Sequence, residues 1–489
     1  MSERLRPNGN PITIEGITIQ TPGLSGRVDA YLPGEAGTRA ASGWTDALAE
    51  AFDGQHVETQ LILELSDTYE EPDASPVGTR ATHYDEPAMV LDVPDPGAGW
   101  GQILVYTDES GVTTWSYARD ESGALDTTRG GATRTFVIPR AVAPGTDDGT
   151  GRGAFGAVAK KIIGIVVFPL LDPVFGLVGE FFARRWEEAK RPYRFRSFTE
   201  ADYASPDADS PAWDVMGSGR SLLMVHGTFS RAHAGFGGLP TSFVGDLHDI
   251  YGGRVFAFDH FTLCDDPMDN VAWFVEHLPD GINLDLDIIC HSRGGLVSRV
   301  LAERIDEFDL GDRGIRVDKV IFAAAPNNGT VLTNAKYMGD FVDSYTNLIN
   351  FIPTNFVTDT LDAVITVAKL VSTGVLNGLD GLQSMRPEGD FLAELNARAE
   401  QGGRYFALSS DFEPTNAGWK RYAADRLMDK IFKAPNDLVV PAASPYQENG
   451  SDRFPIVPHL EFGVNAGVDH SGYFTNPAAR EQMLGWLTP

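Results

Sequence analysis

"LDIICHSRGGLVSRVLAER", Leu286 to Arg304, changes its pattern halfway. Leu286 to Cys290 is a short, mostly apolar run, as expected of a strand covered on both faces. From Leu296 onward apolar residues recur every three or four positions, which is a helical period. Ser292 stands at the junction. A strand, a tight turn carrying the serine and a helix whose N-terminus faces the reaction form a nucleophile elbow. Such a turn leaves room only for small residues two positions before and two after the serine, here Cys290 and Gly294. Cysteine replaces the first glycine of the G-x-S-x-G pattern and is small enough to keep the geometry. A helix N-cap would also favour a serine, but it explains neither the preceding strand nor the small-residue spacing.

The same alternation extends around the elbow. "SLLMV", "RVFAFD", "LDLDIIC", "KVIFAAA" and "RYFALSS" are short apolar runs, with amphipathic stretches such as "MDNVAWFVEHL" between several of them. Strands alternating with helices predict a parallel sheet covered on both faces, an α/β unit over residues 215–489. Within it, about 332–400 is an insertion rich in helix formers, including "NFVTDTLDAVITVAKLVSTGVLNGL", too apolar to stand alone in water. Residues 1–145 differ. "HVETQLILEL", "WGQILVYTD", "VTTWSYARD" and "RTFVIPRAV" are β-branched and aromatic runs between turn residues, which predicts a smaller β-rich N-terminal domain. Residues 146–214 are expected to link the two, beginning within the Gly-rich stretch Ala143 to Gly156.

The linker holds "KKIIGIVVFPLLDPVFGLVGEFFARR", Lys160 to Arg185, long enough to span a bilayer. Pro169, Asp172, Pro173 and Glu180 interrupt it and argue against a span. The expected structure for 160–185 is a kinked helical pair packed between domains, with peripheral membrane contact as a second reading.

Composition narrows the partners. Lys and Arg total 39 against 68 Asp and Glu, a net charge of −29. Such a surface repels phosphate backbones, so no nucleic-acid partner is expected. Two cysteines, Cys264 and Cys290, cannot build a disulfide framework and suit a reducing compartment. "MSERLRPNGNPITIEG" lacks the apolar core of a secretory signal. A cytoplasmic location is the expectation.

Five motifs occur in order: "VHGTF" (225–229), "CHSRGG" (290–295), "AAAPNNGT" (323–330), "PNDLVVP" (435–441) and "DHSGYF" (469–474). Together they resemble the α/β-hydrolase superfamily in its lipase and esterase branch. "CHSRGGLVSR" and "FDHFTLCDDPMDNVAWFVEHLP" are also similar to lipase-like domains of large bacterial proteins. The resemblance covers about residues 215–489 and implies an α/β-hydrolase parallel-sheet core with a helical lid near 332–400. It also implies a serine esterase, with Ser292 as nucleophile and no metal or cofactor. The backbone N–H groups of Thr228 and Arg293 would receive the oxyanion, Phe229 would line the substrate site, and His226 would shape the loop.

The order serine, acid, histidine leaves His459 and His470 as bases, and the Gly-rich loop around His470 favours the latter. The acid is Asp437 or Asp411; loop type and resemblance favour Asp437. The expected substrate is a lipid or other acyl ester. Two alternatives stand beside hydrolysis: acyl transfer by the same residues, or an inactive scaffold whose N-terminal domain binds a partner protein.

Overall fold

The computed structural model describes residues 2–32, 51–52, 55–71, 88–108, 112–120, 124–126, 132–139, 161–172, 176–177, 182–348, 357–374, 376, 378–397, 403–413, 434–447 and 454–488. The Gly-rich stretch 143–156 lies outside them. The chain is mixed α/β with several sheets.

Two antiparallel sheets form from the N-terminal third. The first has six strands in the order Ser2–Arg4, Leu24–Tyr31, Glu58–Glu70, Lys161–Pro169, Trp100–Thr107, Thr113–Ser116; the second has five. They pack face to face: Leu61, Leu63, Leu65, Leu104, Tyr106, Ile163 and Ile165 of the first meet Met89, Leu91, Val93, Phe136 and Ile138 of the second. Alternate residues of the first sheet, among them Ile62, Ile103, Val105, Ile162, Val166 and Phe168, point the other way and join the core of the rest of the molecule. Both faces of this sheet are therefore buried.

That double burial corrects the reading of residues 160–185. Lys161–Pro169 is a strand, paired on one side with Glu58–Glu70 and on the other with Trp100–Thr107. A strand covered on both faces carries apolar residues at every position, so it loses the alternation that separates it from a buried helix. A short two-stranded pair follows, Leu171–Asp172 with Gly176–Leu177, and a helix spans Phe182–Lys190; residues 173–175 and 178–181 lie outside the described residues. The β-rich part thus does not end at residue 145, and the apolar side chains from Ile162 to Phe168 meet protein rather than solvent. No helix among the described residues is long and apolar enough to cross a membrane.

The second half is built on a seven-stranded sheet in the order Arg194–Ser197, Val255–Asp259, Arg220–Val225, Asn283–His291, Gly314–Ala323, Arg404–Ser410, His459–Phe462. All neighbours are parallel except the first pair. The sheet begins at Arg194, inside the stretch expected to be linker. Helix Phe182–Lys190 is tied to the same unit: the buried Glu187 carboxylate accepts backbone N–H bonds from Thr262, Leu263 and Cys264 at 2.6–3.0 Å.

The insertion expected as a lid is an interior layer. Helices Met338–Leu348 and Val357–Thr373 pack on each other, and they lie between the two halves, with Met338, Phe341, Val342, Leu348, Leu361, Ile365 and Ala368 all buried. Its apolar surface is covered by the N-terminal sheet. Thr113 N–H donates to Asn347 Oδ1 (2.9 Å) and Asn347 Nδ2 returns a bond to the Thr113 carbonyl (2.6 Å). Trp115 N–H donates to Asp343 Oδ1 (2.7 Å) and its indole N–H to Thr346 Oγ1 (2.8 Å).

Candidate active site

Strand Asn283–His291 runs into helix Gly294–Glu303 through a turn at Ser292, which holds φ +51°. A non-glycine residue there is strained by about 1–3 kcal/mol and persists only where the surroundings impose it. They do so by crowding. A Cβ on Gly294 would come within 2.4 Å of the His226 carbonyl, and one on Gly295 within 2.4 Å of Ala325 Cβ. A Cβ on Gly227 would sit 2.7 Å from Ser292 Cβ. The small residues around the serine are thus demanded by the approach of the Val225–Thr228 segment to the elbow. Cys290 is buried and donates to the Ile321 carbonyl at 3.3 Å.

Ser292, His470 and Asp437 come together from three distant segments. The Ser292 hydroxyl lies 3.0 Å from His470 Nε2, and His470 Nδ1–H donates to Asp437 Oδ2 at 2.9 Å. A backbone bond from His470 N–H to the Asp437 carbonyl, 2.9 Å, locks the two loops together. Asp437 is saturated: Oδ1 accepts the Val439 and Val440 N–H groups, at 3.1 and 2.8 Å, and Oδ2 also accepts the Tyr473 hydroxyl at 3.0 Å. A buried carboxylate needs such donors to offset its lost hydration. All three groups are shut away from solvent; Ser292 is only 2% exposed.

The other candidates fall elsewhere. Asp411 follows its strand as expected, but its carboxyl faces Glu461 and the Asn436 N–H; burial, then Glu461, raises its pKa. His459 lies in the edge strand, exposed rather than buried, stacked on Tyr446 at 4.1 Å. His226 is buried beneath the loop. It accepts the His260 N–H at Nε2 (3.1 Å) and stacks on the His260 ring at 4.2 Å. Burial pushes its pKa down to about 4, against the pull of Asp259.

Arg293 follows the serine and Thr228 follows Gly227, which packs on Ser292; no acceptor among the described residues takes the backbone N–H of either. The Arg293 side chain turns into the protein, where the carbonyls of Gly381, Phe261 and Asp265 receive it. Phe229, at φ +58°, packs against Phe341 and Tyr345 with ring centroids 5.3 and 4.6 Å away. A cavity of about 60 Å³ opens beside it, walled by Thr228, Phe229, Tyr345, Leu348, His470 and Phe474.

Two contributors escaped the sequence reading. Tyr473 sits three residues after His470, a spacing that could have raised the question. Tyr345 arrives on the insertion helix, in "FVDSYTNL", with no motif to mark it.

Among solved structures, the chain is similar to lipase 1 from Pelosinus fermentans (15% identity, TM-score 0.39, 55% of this chain and 97% of that one). It is also similar to phospholipase PlaB from Legionella pneumophila (18%, 0.34, 55% and 60%). The lipase of Staphylococcus hyicus is a third (12%, 0.32, 55% and 92%). No curated protein matches the sequence. A family model described as a domain of unknown function, DUF7379, matches residues 190–488. That span is more than half of the chain, contains the whole seven-stranded sheet and all three residues of the buried set, and makes this protein a member of the DUF7379 family.

Proposed function

We propose that this protein is a serine hydrolase of the α/β-hydrolase fold, cleaving carboxylic esters with Ser292, His470 and Asp437. The observation that carries the reading is the continuous hydrogen-bond path from the Ser292 hydroxyl through the His470 ring to Asp437, starting at a serine held in a left-handed turn.

In this mechanism His470 Nε2 accepts the serine proton as Ser292 Oγ attacks the ester carbonyl. Asp437 fixes the Nδ1–H tautomer and stabilises the imidazolium. The Thr228 and Arg293 N–H groups receive the negative charge on the carbonyl oxygen, where preorganised donors act most strongly. Collapse expels the alcohol with the proton from His470, and water repeats the sequence on the acyl-enzyme. The apolar cavity wall of Phe229, Leu348 and Phe474 suits an acyl chain, so acyl esters, lipids among them, are the proposed substrate class.

Acyl transfer is the second reading. The burial of Ser292 favours it, because a site that excludes bulk water gives an organic alcohol or thiol the advantage. Product analysis with added alcohol separates the two. The hydrolase reading itself is tested with a fluorophosphonate probe, which reacts only with an activated serine. Labelling of the folded wild type that Ser292→Ala abolishes is the expected result. Absence of labelling leaves an inactive scaffold instead.

A further inference from the structure

The insertion helix Met338–Leu348 stands with one side against the N-terminal sheet and the other over the serine. From it Tyr345 reaches the reactive centre. Its hydroxyl lies against the side chains of both Ser292 and Thr228. Its ring meets the His470 ring edge-on at 6.1 Å and forms the cavity wall together with Thr228, Phe229 and His470. The phenol thus stands beside the nucleophile, its base and the Thr228 loop.

We infer that Tyr345 is a catalytic residue, a third hydrogen-bond donor to the oxyanion, held in position by the N-terminal sheet. The inference rests on the hydrolase reading above. A phenol in this place has two possible consequences: it blocks the substrate or it binds the reacting oxygen. The packing favours the second.

The helix is not free to swing out. Four hydrogen bonds join Asp343, Thr346 and Asn347 to strand Thr113–Ser116, and Phe341, Val342 and Leu348 are buried in the shared core. Lifting the helix would break those bonds and expose that surface to water. Tyr345 is itself part of the cavity wall, with Thr228, His470 and Phe474, so the space for an acyl group exists with the ring in place. Burial raises the pKa of the phenol, so it keeps its proton at any ordinary pH and has one to donate.

Before attack the hydroxyl lies near the side chains of Ser292 and Thr228. When the Oγ–carbon bond forms, the π pair moves to the carbonyl oxygen, now bound to the same carbon as Oγ. Tyr345 needs only a small shift to donate to it. The serine proton passes to His470, and Tyr345 keeps its own throughout. The N-terminal sheet then acts in catalysis at a distance, by fixing a donor that a helix in water would leave mobile.

The test uses the full chain, p-nitrophenyl acetate as substrate, and a trifluoromethyl ketone, which adds to the serine to form a hemiketal oxyanion. Removing one oxyanion donor typically costs about 100-fold or more. Tyr345→Phe is therefore expected to lower kcat/KM by about 100-fold and to weaken the ketone by a similar factor, with KM nearly unchanged and the melting temperature preserved. Equal or higher activity overturns the inference and makes Tyr345 a plug. Lost turnover with unchanged ketone affinity overturns it as well, in favour of a packing role.

If Tyr345→Phe fails to fold, Asn347→Ala, which loosens the clamp on the helix, carries the test. It should reduce turnover and ketone affinity together, and a fall in neither sinks the idea. The hydrolase reading fails on different grounds: wild type that takes no fluorophosphonate label, or Ser292→Ala that turns over ester like wild type.

Discussion

The molecule's two large sheets are both buried on both faces, yet they serve the site differently. The seven-stranded, mostly parallel sheet places the proposed site at its strand ends: Val225 leads into the Thr228 loop, His291 into Ser292, and Ser410 precedes Asp437 in the chain. Among the described residues, the six-stranded antiparallel sheet brings no titratable side chain to the serine. Its contribution is a surface, strand Thr113–Ser116, against which a helix is pinned. Parallel strands with helical crossovers place all their leading ends on one edge, where residues far apart in the chain converge. Antiparallel hairpins return their ends to opposite edges, so a sheet of that kind supports more readily than it reacts. Changes in the first sheet should therefore strike turnover with folding intact, whereas changes in the second should strike stability first.

The largest effect is expected at the convergent edge. Ser292→Ala or His470→Ala should lower ester turnover by about 10⁴-fold or more, and Asp437→Asn by about 10⁴-fold through the wrong imidazole tautomer. Steady-state rates beside unchanged circular dichroism provide the check. Asp411→Asn should leave the rate within a few-fold; if it is the damaging change and Asp437→Asn is silent, the acid has been misassigned. Gly227→Ala sharpens the contrast, because its methyl would press on Ser292 Cβ. The overpacking should lower the melting temperature as well, but the loss of activity in the folded variant should be the larger effect.

The supporting sheet should respond in the opposite sense. Gly101 pairs with Phe168, and a Cβ there would lie 2.2 Å from the Phe168 ring. Gly101→Ala is expected to cost about 1–3 kcal/mol of stability by overpacking, read from denaturant melts, while kcat/KM measured well below the melting temperature changes little. A large rate loss in the still-folded variant would mean that the sheet couples to the site more tightly than its one clamped helix provides.

Acid should weaken the reactive half in particular. Burial pushes His226 down to about 4 and His291 down to about 3, and it lowers His260 as well. In the unfolded chain these histidines take up protons near pH 6.5. The folded state refuses them until well below that, so the unfolded state binds more protons in between and stability falls as pH drops from about 6.5 toward 4. Denaturation midpoints measured from pH 8 to 5 should decline, and His291→Gln should flatten the decline. The smallest effect expected is that of Tyr473→Phe, which removes one of four hydrogen bonds on Asp437. Steady-state kcat should fall only a few-fold, since the two backbone N–H groups and His470 still hold the carboxylate.

The elbow was legible because its signals are local. A buried strand, small residues at fixed offsets and a helical period all fall within the nineteen residues from Leu286 to Arg304, and the turn forces the glycines that the crowding data explain. Lys161–Pro169 misled for the converse reason: with both faces covered it has no alternation, and Pro and Gly nearby interrupt a helix and a strand alike. The burial of the insertion was readable as excess apolar content, but not what covered it. Nothing in "FVDSYTNL" indicates that Asp343, Thr346 and Asn347 bond to one sheet while Tyr345 faces the other.

The sequence by itself determined the strand-turn-helix around Ser292, the order of the motif loops and the alternation that makes a parallel sheet, since these depend on side-chain size and period within short windows. Only the tertiary structure decided which carboxylate meets His470, where Lys161–Pro169 belongs, and that the insertion is an interior layer bearing Tyr345. Those outcomes depend on which distant surfaces cover one another, and a burial partner leaves no mark on the spacing of the residues it buries.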